Sequence, residues 1–130
     1  MIYLLDTNVC IRFLNGRAPN VRLRMATTPR SQIVVCSVVK TELWYGALKS
    51  QDPTRTRARQ DRFLANFVSL DFDDVAAQQC ALIRAQLVAQ SVGPLDALIA
   101  SISLANDLTL VTHNTREFGR INDLRIEDWE

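Results

Sequence analysis

Four apolar residues, Ile2-Tyr3-Leu4-Leu5, run directly into a carboxylate, Asp6, and two more oxygen-bearing side chains, Thr7 and Asn8. A short bounded apolar run of this kind fits a buried parallel strand, and such strands require helices over both faces of their sheet. In open α/β sheets ligands gather at the carboxyl ends of the strands, which is where Asp6 stands. Glu42, Asp96 and Asn114 follow later segments in the same way. Converging, these oxygens would form a cage for a hard divalent cation, whose commonest chemistry is hydrolysis of a phosphate ester.

The rest of the chain alternates strand and helix signals. Helices are expected over residues 9–14, capped by Thr7 or Asn8, and over 21–27 after Pro19-Asn20. Residues 33–36 form a second apolar strand, and Ser37 is placed to cap a helix over 38–49 with Leu43, Ala47 and Leu48 on one face. Residues 50–62 are polar and arginine-rich and are expected as a loop leading into a helical face of Phe63, Leu64, Phe67 and Val68. Leu70 and Phe72 flank a short strand. Asp73 or Asp74 then caps a helix whose stripe of Ala76, Cys80, Ile83 and Leu87 is ordinary core. Pro94 opens a helix over 95–106 with Leu95, Leu98, Ile99 and Ile102 buried. Residues 108–111 form the next strand, and Arg125-Ile126 an edge strand. Alternation of this kind gives an α/β sandwich with a mainly parallel central sheet, and 130 residues make one domain spanning 1–130.

Several classes are excluded by composition. The apolar stretch 97–105 is about half of what spans a bilayer and carries two serines, and Asp6 interrupts the first apolar run before it could serve as a secretory signal. A cytoplasmic location is expected. Cys10, Cys36 and Cys80 are scattered and odd in number, which fits buried reduced thiols rather than disulfides or a zinc site.

The net charge of +1 conceals an asymmetry. Residues 1–62 carry 11 basic against 4 acidic groups, whereas residues 63–130 carry 4 against 10. Thirteen of the fifteen basic residues are arginine, whose fork binds phosphate bidentately. Arg12, Arg17, Arg22, Arg24 and Arg57 are therefore candidate contacts for an RNA backbone, with solvated helix faces as the plain alternative.

Taken singly, each acid has an ordinary explanation: Asp6 as a helix cap, Glu42 and Asp96 as acids favouring positive helix ends. Their shared position at strand ends and early helix turns is what favours one rim. His113 is the only histidine and no Gly-x-Ser-x-Gly elbow occurs, so a Ser-His-Asp hydrolase has little support. Neither a P-loop nor a G-x-G-x-x-G is present.

Four segments occur together in order: Leu5-Asp6-Thr7-Asn8; Thr41-Glu42-Leu43 with Gly46; Gly93-Pro94-Leu95-Asp96 with Ile99-Ala100; and Val111-Thr112-His113-Asn114-Thr115-Arg116-Glu117-Phe118. With the Glu127-Asp128-Trp129 tail, the chain resembles the PIN-domain ribonuclease toxins of VapC type from prokaryotic toxin-antitoxin pairs. The resemblance implies a PIN fold, a Mg²⁺ or Mn²⁺ cofactor, endonucleolytic cleavage of RNA that inhibits translation, and a homodimer neutralised by a VapB-type antitoxin. Residue by residue, Asp6, Glu42 and Asp96 match the catalytic, metal-binding acids. Asn114, Thr112 and Glu117 match supporting positions, with Thr7 and Asn8 beside Asp6. The branch sharing this tail looks like enzymes that cut the anticodon stem-loop of initiator tRNA. Two departures stand out: Gln90-Ser91-Val92-Gly93 is about two residues shorter than the family's usual loop, and Asn114 replaces a common Asp. Both leave a second expectation standing beside the first, a catalytically silent PIN-like module that binds RNA or antitoxin. A third is a small metal-dependent phosphatase of similar build.

Overall fold

Leu4, Leu5, Val34, Val35, Leu110 and Val111 are all fully buried, and they belong to three adjacent strands. Because successive strand residues point to opposite faces, burial of consecutive residues means that both faces of the sheet are covered. The structure, a computed structural model, describes residues 1–89 and 92–130. In chain order the elements are β1 (Tyr3–Leu5), α1 (Thr7–Leu14), α2 (Pro19–Thr27), β2 (Ile33–Cys36), α3 (Ser37–Leu48), α4 (Pro53–Leu64), β3 (Val68–Leu70), α5 (Asp74–Gln86), α6 (Pro94–Ala105), β4 (Thr109–Val111), α7 (Thr115–Phe118) and β5 (Arg125–Glu127). A short 3₁₀ turn at Arg30–Gln32 leads into β2. The five strands lie in the order β3-β2-β1-β4-β5 and every pair is parallel, so the expected α/β sandwich is what forms.

Strand order reverses direction at β1, with β2 on one side and β4 on the other. Such a switch point opens a crevice at the carboxyl ends of its two central strands. The register pairs Leu5 with Val111, so Asp6 and Thr112 leave the sheet side by side, and the Asp6 amide donates to the Val111 carbonyl at 2.9 Å.

Several local expectations are corrected. Helix α1 is capped by Asp6 rather than by Thr7 or Asn8: its Oδ1 accepts from the Thr7 amide at 2.8 Å, so the helix starts immediately after the strand. Helix α3 has Cys36 at its cap position with no side-chain bond, and Ser37 is already its first residue. Leu48 is 76% exposed, because one residue beyond Ala47 turns it about 100° away from the face of Leu43 and Ala47. Residues 53–62, expected as loop, are helical and with Phe63 and Leu64 form α4. Pro53 opens it, Asp52 Oδ1 accepts from the Arg55 amide at 3.2 Å, and tertiary contact supplies what its polar sequence lacks. Gln60 is buried and donates to the Leu43 carbonyl at 2.8 Å, while Phe63 and Leu64 close over the core. Asn66 then donates to the Arg62 and Phe63 carbonyls, ending the helix before Phe67 and shifting the next strand to Val68–Leu70.

Asp73 caps α5 by accepting from the Ala76 amide at 2.9 Å. Its stripe is core at Ala76 and Ile83 and half-buried at Cys80 and Leu87. In α6 the buried face includes Ala97, Ile99, Ala100 and Ile102, but Leu95 is 41% exposed because the first turn stands at the open rim that carries Asp96. Cys10 and Cys36 are buried, Cys80 is half-buried and all three are free thiols; burial pushes Cys36 up to about 11 and Cys10 higher still, so neither ionises. Among the described residues no helix is long and apolar enough to cross a membrane. The shortened loop before Gly93 includes Gln90 and Ser91, which lie outside the described residues.

Candidate active site

Asp6 is 4% exposed, and both of its oxygens are committed. Oδ1 accepts from the Thr7 amide and Oδ2 from the Thr112 hydroxyl, each at 2.8 Å. Thr112 Oγ1 in turn accepts from the Asn114 amide at 3.0 Å, which ties the ends of β1 and β4 to the turn that follows. The Thr7 hydroxyl donates to Glu42 Oε1 at 2.8 Å, fixing a carboxylate from the middle of α3 against the start of α1. Asp96, in the first turn of α6, is half-buried and faces the same space.

A fourth carboxylate completes the group. Glu117, in α7, accepts from the Gly93 amide at 2.8 Å and from the Asn114 side-chain amide at 3.0 Å. A Cβ at Gly93 would stand 3.3 Å from Asp96 Oδ2, so a side chain there would push that carboxylate aside by a few tenths of an ångström. Asn114 therefore acts as a brace between Thr112 and Glu117. The residues alone did not point to Glu117; only the resemblance did. The pattern that could have found its helix is Asn114 followed three residues later by a glutamate, a helix-start signature.

The electrostatics show how crowded the acids are. Burial pushes Asp6 upward, opposed by the Thr112 and Thr7 hydrogen bonds and reinforced by the charges of Glu42 and Glu117. Asp96 is pushed up to about 6 by burial first and then by Asp6, Glu117 and Glu42, with nothing lowering it. Glu117 is held below its ordinary value by its bonds from Gly93 and Asn114. The charges of Asp6, Glu42 and Glu117 act on Asp96, and those of Glu42 and Glu117 on Asp6, but the oxygens of Asp6, Glu42 and Asp96 do not close to within 4.8 Å of one another. Among the described residues, the one set of three donor atoms lying within 4.8 Å of each other is His113, Asp128 and Glu130.

A pKa raised by folding has a testable sign. The folded chain binds the Asp96 proton more tightly than the unfolded chain, so stability rises as pH falls from 7 through 6 toward 4 and is lost as pH climbs back through 6. In EDTA, melting temperature should be higher at pH 5 than at pH 7. Asp96→Asn should flatten that slope and stabilise the chain at pH 7 by about 1 kcal/mol, after allowing for solvent screening of a half-exposed group. A wild-type melting curve independent of pH over this range would contradict the repulsion.

The arginines expected at RNA are mostly engaged within the chain. Arg12 pairs with Glu130; Arg24 pairs with Glu127 at 3.1 Å and lies over the Trp129 ring. Arg57 pairs with Asp61 at 3.0 Å and stacks on Trp44. Arg22 donates to the Phe13 carbonyl and covers its ring, and Arg17 is exposed. Asn8 is exposed on α1, beside Arg12, His113 and Asn114 around one pocket.

Four carboxylates thus stand at the switch point of a parallel five-stranded sheet. The family model described as PIN domain matches residues 3–124. The chain belongs to the PIN-domain family. Within it, this PIN domain is 41% identical over 129 residues to the "tRNA(fMet)-specific endonuclease VapC" of Shigella flexneri, covering 98% of this chain and 97% of that protein. A protein of the same name from Salmonella typhimurium is 39% identical, again over 98% and 97%. Among solved structures, the DNA-bound VapBC complex from Salmonella typhimurium contains a chain that superposes with a TM-score of 0.94 at 38% identity, covering 100% of this PIN domain and 99% of that chain.

Proposed function

We propose that this PIN domain, acting as a single unit over residues 1–130, is a metal-dependent endoribonuclease and the toxin of a toxin-antitoxin pair. The observation that carries the proposal is the uncompensated charge at the switch point. Asp6 and Asp96 are raised by burial and by neighbouring carboxylates, and the groups that lower Asp6 are neutral donors. Asp6 and Asp96, with no cation among the groups that shift them and Arg120 acting on Glu117 instead, fit a hard divalent ion such as Mg²⁺ or Mn²⁺. Oxygens that do not close to within 4.8 Å of one another suit an ion that keeps several of its waters, which Mg²⁺ does.

Asp6, Glu42 and Asp96 would hold the ion, with Glu117 and Asn114 bracing the far wall. Bound there, a divalent cation supplies a water that ionises near neutral pH and positive charge beside the phosphoryl oxygens. The protein's own share is orientation. Thr7 and Thr112 fix the two oxygens of Asp6, Thr7 fixes Glu42, and the Gly93 amide fixes Glu117, so the carboxylates need not reorganise when charge arrives. Asp96 is the acid without such bonds; burial and its acidic neighbours push it up to about 6 without an ion, so it is a ligand whose charge a bound cation would restore.

RNA is the preferred phosphodiester. Relatives at 41% and 39% identity over nearly the whole chain are named for cutting tRNA(fMet), so initiator tRNA is the first substrate to test. The arginine-rich half would contact the backbone. Its surface ion pairs are each worth at most about 1 kcal/mol, so a phosphate can displace the carboxylate partner. The VapBC complex of the Salmonella relative supports a VapB-type antitoxin as partner, and a homodimer is the expected assembly.

The test is to incubate purified, antitoxin-free chain with total RNA and Mg²⁺ and sequence the new 5′-phosphorylated ends. Discrete cuts, lost in excess EDTA and restored by Mg²⁺ or Mn²⁺, are expected. Cuts that persist in EDTA would remove the metal from the mechanism. Binding without any cleavage would leave only a silent RNA- or antitoxin-binding module, and hydrolysis of a generic phosphomonoester with RNA untouched would indicate a phosphatase.

A further inference from the structure

Among the described residues, the one set of three acidic or histidine donor atoms lying within 4.8 Å of one another stands outside the acid cluster. His113 Nδ1 is 2.9 Å from Asp128 Oδ2 and 3.4 Å from Glu130 Oε2, and the three atoms lie within 4.8 Å of one another. Each carboxylate has its other oxygen already fixed. Arg12 pairs with Glu130 Oε1, and Asp128 Oδ1 accepts from the Glu130 amide at 3.0 Å. The oxygens left over, Oδ2 and Oε2, both turn toward the imidazole.

A hydrogen bond within the chain does not complete this arrangement. Nδ1 carries at most one proton, and at 2.9 Å it serves Asp128. Glu130 Oε2 is left fully buried with no hydrogen-bond partner, on a side chain that is only 11% exposed. A buried carboxylate oxygen without a partner is costly, and a bound cation would remove that cost. The two spacings from Nδ1 fit one: ligands at about 2.1 Å from a first-row divalent ion stand about 3.0 to 3.4 Å apart in octahedral or tetrahedral sites.

We propose that His113, Asp128 and Glu130 form a second divalent-cation site, separate from Asp6, Glu42 and Asp96 and independent of the function proposed above. One imidazole nitrogen with two carboxylate oxygens selects a borderline ion such as Zn²⁺ over Mg²⁺ or Ca²⁺, and the two carboxylates also admit Mn²⁺ as a paramagnetic probe. Arg12 and the Glu130 amide supply the outer support that holds ligating carboxylates in place. His113 and Glu130 border a pocket of about 420 Å³ that Asn8, Ile11, Arg12 and Asn114 also line, with entry for an ion and room for its remaining waters. An ion there would clamp the segment after β5 onto the turn after β4, beside the Asn114 that braces Glu117.

His113 is the only histidine in the chain, so its ring protons give one unambiguous set of NMR signals. The experiment titrates Zn²⁺ into the full chain carrying Asp6→Asn, which weakens the acid cluster. One equivalent should shift the His113 ring signals, and Mn²⁺ should broaden them beyond detection. Combining Asp128→Asn with Glu130→Gln should weaken Zn²⁺ binding at least 100-fold while the chain keeps its melting temperature without metal. Ring signals that stay in place at ten equivalents of Zn²⁺ would overturn the site. A shift that survives in the Asp128→Asn, Glu130→Gln chain would do so equally, since the ion would then sit elsewhere.

Discussion

Asp6→Asn should abolish RNA cleavage, lowering kcat by at least about 10³-fold, while the protein remains folded and melts no lower than the wild type in EDTA. The two halves of that expectation come from the same geometry. Asn keeps Oδ1, so it can still accept from the Thr7 amide and cap α1. Its amide nitrogen replaces the oxygen that accepts from Thr112, which costs about one hydrogen bond, or roughly 1 kcal/mol. Against that stands removal of a charge that burial, Glu42 and Glu117 all disfavour. The terms nearly cancel for stability, but the anionic ligand is gone. Measuring cleavage of initiator tRNA beside a thermal melt separates the outcomes: near wild-type activity would rule Asp6 out of the chemistry, and lost activity together with a collapsed melt would make its role structural.

Phe118→Ala should be the most disruptive single change to the fold around this site. Phe118 is fully buried and closes the four-residue helix α7, whose other face carries Glu117. Removing a buried phenyl ring costs about 3–5 kcal/mol, a large part of the roughly 5–15 kcal/mol that holds a domain together. So short a helix has no stability of its own, so the ring's contacts are what keep Glu117 on the Gly93 amide and Asn114 on Thr112. A chemical denaturation curve should show the midpoint falling steeply, and Phe118→Leu should recover more than half of the loss. An alanine variant within 1 kcal/mol of wild type would show that α7 is held by something other than this side chain.

The inventory of strands and long helices was largely legible from local pattern. Apolar runs bounded by turn residues gave β1, β2 and β4, and Pro94 and Asp73 marked the starts of α6 and α5. Failures came where tertiary contact overrode local preference. The sequence of α4 is too polar to declare a helix, and it becomes one because Gln60 reaches the Leu43 carbonyl and Phe63 and Leu64 find the core. Helix α7 is too short to have a period, and Phe118 is its one buried residue.

The candidate site divides the same way. Chain order determined which residues carry the acids and put Asp6 at the end of a strand, because a carboxylate after an apolar run has nowhere else to go. Only the tertiary structure decided that Thr112 would hold Asp6, through the parallel pairing of β1 with β4, and that the Asn114 side-chain amide would donate to Glu117. Sequence patterns report one element at a time, since periodicity is a local property of the backbone. Which carboxylates repel one another is a property of distances across the sheet switch point, and those exist only once the strands have chosen their neighbours.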